Sequence, residues 1–348
     1  MGHVILLPEI LDVAGRDGWL SVLISLPLGL LFGYAIYRFR IRHPEQDFHS
    51  VTVHLYGKLV GNVIVILLGT YFAWLGVLSV SRLADMVQIG FMPETPLWII
   101  VASFMVACWY AVNKGMKTIA FAAGVLMVIS IPIGYIVSIL SVPLKDFHSL
   151  KPILEFGWSP AFIGALVIIS VWMELLFLMV IPLEKSGMEK IFRIWSFGII
   201  WNGLMILFPV TGVIMIFGLG QVSNSNYPAL DTVRYISLGF LDRFDLYAML
   251  LMGFGCYIRT SIYLYLSYDL IVRKRLNQNG FRTIGVVALC VIIFAGSLYL
   301  VSDHLRLQMS TILYTYAIVL YPLPFLYVLL SRLKKTKLET GGATKMNQ

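Results

Sequence analysis

Residues 158–182 read WSPAFIGALVIISVWMELLFLMVIP, and Glu174 is the only ionisable side chain among them. A helix that crosses a bilayer needs about 20 mainly apolar residues to span roughly 30 Å of hydrocarbon, and this stretch supplies them. A barrel strand would alternate polar and apolar residues with a period of two, which this run does not do. A helix is left, because only there does a single segment satisfy all its own backbone groups in lipid.

Eight more stretches of the same kind flank it: 18–37, 59–81, 96–112, 118–142, 194–219, 246–271, 283–302 and 307–331. The links between them are short. Across all 348 residues, 59% are hydrophobic and 13% charged, and the mean hydropathy is +0.85. Soluble chains carry roughly 25% charged residues. There is too little polar surface here to coat a particle in water, which excludes soluble enzymes, disulfide-rich secreted modules and disordered chains. The reading is one integral membrane domain over 1–333, all-α, followed by a polar tail over 334–348.

The net charge is +8 and the pI near 9.3. In a membrane protein this reflects the collection of Lys and Arg in cytoplasmic links rather than a nucleic-acid partner. With the 38–58 link inside and sides alternating, eighteen of the 26 basic residues fall inside, seven outside, and Arg259 within a span. This predicts a cytoplasmic C-terminus and places Arg82 in an outside link. The first full span then runs inward, which would put the N-terminus outside, yet it is preceded by the apolar Met1–Leu11. It has no basic leader and covers only about half a bilayer at 1.5 Å per residue. The expectation is that the sequence begins inside a tenth helix whose inner half precedes residue 1. Cys108, Cys256 and Cys290 lie in apolar stretches without CxxC spacing and read as small buried hydrophobes.

Charges within spans are costly and mark function or tight internal pairing. Glu174 suits recognition of a ligand amine, ion coordination, a proton relay, or a helix–helix hydrogen-bond anchor. Arg259 can pair with Glu174 or with a substrate carboxylate. Asp269 lies near the inner end of the same span as Arg259. Gly2 and His3 open an apolar run ending at Pro8-Glu9, and a glycine near mid-membrane permits unwound backbone where protein surrounds it. Tyr71 and Trp74 share one side of their span and read as packing before pocket. Tyr257, Tyr263, Tyr265 and Tyr268 read in part as an interfacial belt. The six histidines show no HExxH or i,i+4 ligand spacing, and no P-loop or GxSxG motif occurs. No cofactor, metal site or catalytic constellation is expected.

Several local patterns occur in order along the chain: Gly2-His3-Val4-Ile5-Leu6-Leu7-Pro8, Gly57-Lys58-Leu59-Val60-Gly61, Pro93-Glu94-Thr95-Pro96, Lys151-Pro152-Ile153-Leu154 with Gly157 and Pro160, Met173-Glu174, and Asp242-Arg243-Phe244-Asp245. Together they resemble the spore germination protein B subunits, the permease-like members of the germinant receptors of endospore-forming bacteria. The resemblance implies the amino acid–polyamine–organocation superfamily and a LeuT-like fold of two inverted five-helix repeats. That makes ten helices, with helix 1 truncated at the N-terminus. In that architecture helices 1 and 6 break at mid-membrane, and their half-helix ends hold a small ligand. The ligand-binding positions it implies here are Gly2, His3 and Val4, then Ser170, Trp172 and Glu174, flanked by Tyr71 and Arg259. Trp172 is bulky where relatives often carry a small residue. The partners it implies are a larger membrane A subunit and a lipoprotein C subunit, in the spore inner membrane or cell membrane.

Two functions fit these expectations. A germinant sensor would bind a nutrient such as an amino acid and pass a population shift to its partners. A permease would move an amino acid with protons or sodium, using Glu174 as the coupling carboxylate. Fold alone does not separate them. A membrane enzyme fits poorly, because no reacting group is paired with a base.

Overall fold

The computed structural model describes residues 6–183, 188–222, 225–236, 245–273 and 281–333. Among these residues there is no strand, and nine helices are long and apolar enough to cross a membrane. They coincide with the nine apolar stretches. The elements are α1 (Leu7–Ala14), α2 (Gly18–Arg42), α3 (Phe48–Tyr56), α4 (Lys58–Gly90), α5 (Leu97–Lys114), α6 (Met116–Leu140), α7 (Ser159–Trp172), α8 (Phe177–Val180), α9 (Met188–Val222), α10 (Pro228–Arg234), α11 (Asp245–Ser267), α12 (Phe281–Val301), α13 (His304–Thr315) and α14 over 323–333.

α1 and α2 form one long apolar stretch but not one straight rod. Gly15–Asp17 is a 3-10 turn, and Gly15 has φ 55° and ψ −132°. Ile10 and Leu11 side-chain atoms lie 3.6 and 3.7 Å from where a methyl group on Gly18 would sit. In a continuous helix, eight residues would separate Ile10 from Gly18 by ~12 Å. The chain therefore bends sharply, and α1 is a short helix of its own. Gly2, His3 and Val4 lie outside the described residues, as do Asp242, Arg243 and the 334–348 tail. Asp17 accepts the Leu154 backbone N–H at 3.0 Å, and Arg16 pairs with Glu155 at 3.1 Å. These contacts tie the bend to the loop that leads into α7.

Lipid tails give no hydrophobic drive for helices to associate, so close packing needs small residues. A methyl group added at Gly29 of α2 would sit 2.8 Å from the Trp172 indole, so this large side chain fits only because position 29 has none. Gly164 of α7 likewise meets Ser21 of α2 and Ala14 of α1. The main core gathers Phe32, Phe72, Trp172 and Tyr314, all essentially inaccessible. Outward-facing apolar residues such as Phe121 and Val128 of α6 present the surface that lipid requires.

α4 runs to Gly90, well beyond the expected end at 81. Arg82, expected in an outside link, lies inside this helix and is buried, as is Asp85. The apolar count fails there because both groups have polar partners on neighbouring elements, described below. At the other end of the bundle Arg40 is fully buried. Its guanidinium donates to the carbonyls of Leu178, Met179, His43 and Gln46. Leu178 and Met179 belong to α8. A cation at such carbonyls satisfies acceptors left open at a helix C-terminus and complements its dipole.

Candidate functional site

The apolar stretch 158–182 is not one α-helix. α7 ends at Trp172, Met173–Leu176 forms a 3-10 turn, and the four-residue α8 follows. Such a turn in mid-helix marks a hinge or a strained functional position. Glu174 sits within it, and a carboxylate inside a membrane span is costly unless it is paired.

Three donors compensate that cost. Arg259 of α11 reaches the Glu174 Oε1 at 2.6 Å through Nη2. Tyr263, one turn along α11, donates to Oε2 at 2.5 Å. Tyr314, near the end of α13, donates to Oε1. Arg259 also lies 5.6 and 5.7 Å from the ring centres of Tyr263 and Tyr314, within range of a cation–π attraction. Phe72 of α4 stacks on Tyr263 at 5.6 Å. One carboxylate thus joins the 3-10 turn to α11 and α13, with α4 as its wall.

Donors outnumber acceptors at this hub. Arg259 Nε and Nη1 are buried and have no hydrogen-bond partner among the described residues, and the same holds for the Tyr71 hydroxyl. Tyr71 is within electrostatic reach of both Glu174 and Arg259. An orphaned buried donor costs about 1–3 kcal/mol, more when charged. Among the described residues the hub thus carries more buried donors than acceptors, and an added acceptor would be favoured there.

The structure brings together Tyr71, Glu174 and Arg259 of the expected site residues. Ser170 lies one turn before Glu174 on α7, but its hydroxyl donates to Val167 O of its own helix at 2.6 Å. Trp172 turns toward Gly29 of α2. Tyr263 and Tyr314 were not expected. Tyr263 is 3% exposed and faces the interior rather than an interfacial belt. Its i,i+4 spacing from Arg259 was a usable signal. Tyr314 lies on another span and nothing local to it points to Glu174.

A second polar layer lies one turn further along α13. Arg82 donates to Thr311 through Nε at 3.0 Å and approaches Glu9 of α1 at 3.8 Å. Thr311 precedes Tyr314 by one turn, so α13 contacts both layers. Asp85 accepts the Tyr227 hydroxyl at 2.5 Å. Burial, then the Asp85 charge, holds the Tyr227 phenol protonated, its pKa well above the ordinary value. Among the described residues no group of three or more His, Cys, Asp or Glu could hold a metal. Cys256 donates its thiol to Ser79 O at 3.3 Å, in keeping with a buried structural role.

The profile of the Spore_permease family, described as spore germination protein, matches residues 1–304 of this chain. The chain is similar to spore germination protein XB of Bacillus anthracis, with 26% identity over 320 residues that cover 90% of this chain and 89% of that protein. It is also similar to spore germination protein KB of Bacillus subtilis, 28% identical over 267 residues, covering 73% of this chain and 69% of the other.

Proposed function

We propose, starting from the fact that this chain belongs to the Spore_permease family of spore germination proteins, that it is the multi-pass membrane subunit of a spore germinant receptor. In this reading a small nutrient, an amino acid, binds beside the Glu174–Arg259 hub. The observation that carries it is the 2.6 Å ion pair seated on the 3-10 interruption of a membrane span, with donors left over.

The ligand carboxylate takes the open Nε and Nη1 edge of Arg259 and the Tyr71 hydroxyl. The ligand ammonium competes with Arg259 and the two tyrosines for Glu174. Both exchanges act on the contacts that hold the 173–176 turn to α11 and α13. Binding therefore favours a second arrangement of these helices. A shift from 1:99 to 99:1 needs about 10⁴-fold preference of the ligand for the second state, roughly 5.5 kcal/mol. The signal passes to a larger membrane A subunit and a lipoprotein C subunit. The process is binding and rearrangement, with no chemical step. The LeuT-like inverted repeat, with the broken span as its sixth helix, and a cytoplasmic C-terminus in the spore inner membrane complete the reading.

Spores carrying Glu174→Gln or Arg259→Gln test it. The expected result is a germinant concentration dependence shifted at least tenfold, with the protein still present in spore membranes. Unchanged sensitivity with protein present refutes the site. Proteoliposomes are expected to accumulate no labelled amino acid. Robust ion-coupled uptake, with nutrient germination unaffected by loss of the chain, refutes the sensor and establishes an ion-coupled permease.

A further inference from the structure

The segment 225–236, which contains α10, lies across the Gly90 end of α4. Between them is a cavity of about 440 Å³, lined by none of the hub residues. Its size falls in the usual range of small-molecule sites. Ile89, Phe217 and Leu230 supply apolar wall, and Tyr227, Asp231 and Arg234 supply polar groups.

The ion pairs of Arg234 in this cavity are long. Arg234 stands 3.5 Å from Asp231 and 3.9 Å from Asp245, and donates to Gly90 O at 3.0 Å. Tight charge-assisted bonds run at about 2.7–2.9 Å, and the Glu174–Arg259 pair is of that kind. Asp231 also accepts the Ser225 hydroxyl. Arg234 and Asp231 are 40% and 34% exposed, so each keeps an open face for a further partner. A cation and an anion a few ångströms apart above apolar wall match a molecule with the opposite arrangement of charge.

The cavity is also wired inward. Tyr227 lines it and donates to Asp85. Asp85 and Arg82 lie one turn apart on α4, and Arg82 donates to Thr311, one turn before Tyr314 at the hub. Occupancy that moves Tyr227 therefore acts on elements that reach Glu174.

We infer that this cavity is a second ligand site that binds a small zwitterion, a free α-amino acid with an apolar side chain. Its carboxylate lies on Arg234, its ammonium on Asp231, and its side chain against Ile89, Phe217 and Leu230. The inference goes beyond the central site and does not depend on it.

The test is equilibrium binding of ¹⁴C-labelled L-alanine, L-valine and L-leucine to the full chain in lipid nanodiscs. Isobutylamine and isovalerate serve as single-charge halves of valine and leucine. At least one amino acid is expected to show one equivalent per chain that Ile89→Trp removes and Arg234→Gln weakens at least tenfold. The single-charge compounds are expected to compete at least tenfold more weakly. Ile89 touches none of the polar contacts, and a monodisperse Ile89→Trp protein shows that the fold survives. Absence of binding by all three amino acids overturns the proposal. Binding untouched by both substitutions also overturns it, as does equal competition by a single-charge compound. If the sole equivalent is lost in Ile89→Trp but retained in Arg259→Gln, this site stands while the central site fails. The reverse pattern does the opposite.

Discussion

The ion pair at the 173–176 turn predicts a specific energetic coupling. Glu174→Gln keeps an amide oxygen that accepts from Arg259 and Tyr314, and an amide nitrogen that donates to Tyr263. The shape survives and only the charge is lost. Arg259, whose side chain is 6% exposed, is then a buried cation without its counter-ion. Breaking a buried pair from one side costs about 3–5 kcal/mol. Arg259→Gln leaves Glu174 with two phenol donors, so about 3 kcal/mol is expected there as well. The double variant removes both charges and leaves neither exposed to the penalty. Its cost is expected near that of the costlier single variant, giving a coupling of about 3 kcal/mol, at the upper end for residues in contact. The assay is reversible unfolding of the four proteins in mixed micelles, followed by tryptophan fluorescence. Costs that add within about 0.5 kcal/mol, as for independent sites, refute the idea that this pair forms one electrostatic unit.

Three further outcomes follow from contacts around it. Tyr314→Phe and Tyr263→Phe each remove one hydrogen bond to a charged acceptor without altering packing. Each is expected to cost about 1.5–3 kcal/mol in the same assay, and a loss below 0.5 kcal/mol in both contradicts the donor assignment. Arg40→Met strips four carbonyls of their donor, and Arg40→Lys does not restore them, because an ammonium cannot reproduce the guanidinium fork. Both are expected to destabilise by at least 2 kcal/mol, roughly that of an unsatisfied buried group, and full rescue by Lys rules out the forked geometry. Gly29→Ala drives a methyl group to 2.8 Å from the Trp172 indole, at an expected cost of about 1–3 kcal/mol. Trp172→Leu in the same chain is expected to recover most of it, and no recovery shows that the crowding lies elsewhere.

Much of the architecture was legible in advance because a bilayer makes simple demands. Each of the nine apolar stretches became a helical span, two of them interrupted by 3-10 turns, since length and hydrophobicity are local properties and lipid tolerates few alternatives. Glu174 and Arg259 stood out for the same reason, as rare charges in apolar surroundings. Hydropathy failed at Arg82 and Asp85, where it placed a link and α4 continues. A hydropathy window sees only the charge. It does not see that Thr311, more than two hundred residues away, and Tyr227 satisfy those groups and keep the helix intact.

From the amino-acid order alone came the solvent, the number of apolar spans, the family resemblance and the two ionisable residues on which the proposed function turns. Each depends on composition or on neighbours close in the chain. Only the tertiary structure decided that Glu174 and Arg259 face each other and that Tyr263 and Tyr314 complete the carboxylate's shell. It also decided that Trp172 serves a glycine of α2, and that Arg234 and Asp231 stand over an open cavity. These facts depend on which helix faces move against which. In lipid that choice is made by shape and by the pairing of polar groups between helices, and neither is written in any single stretch of chain.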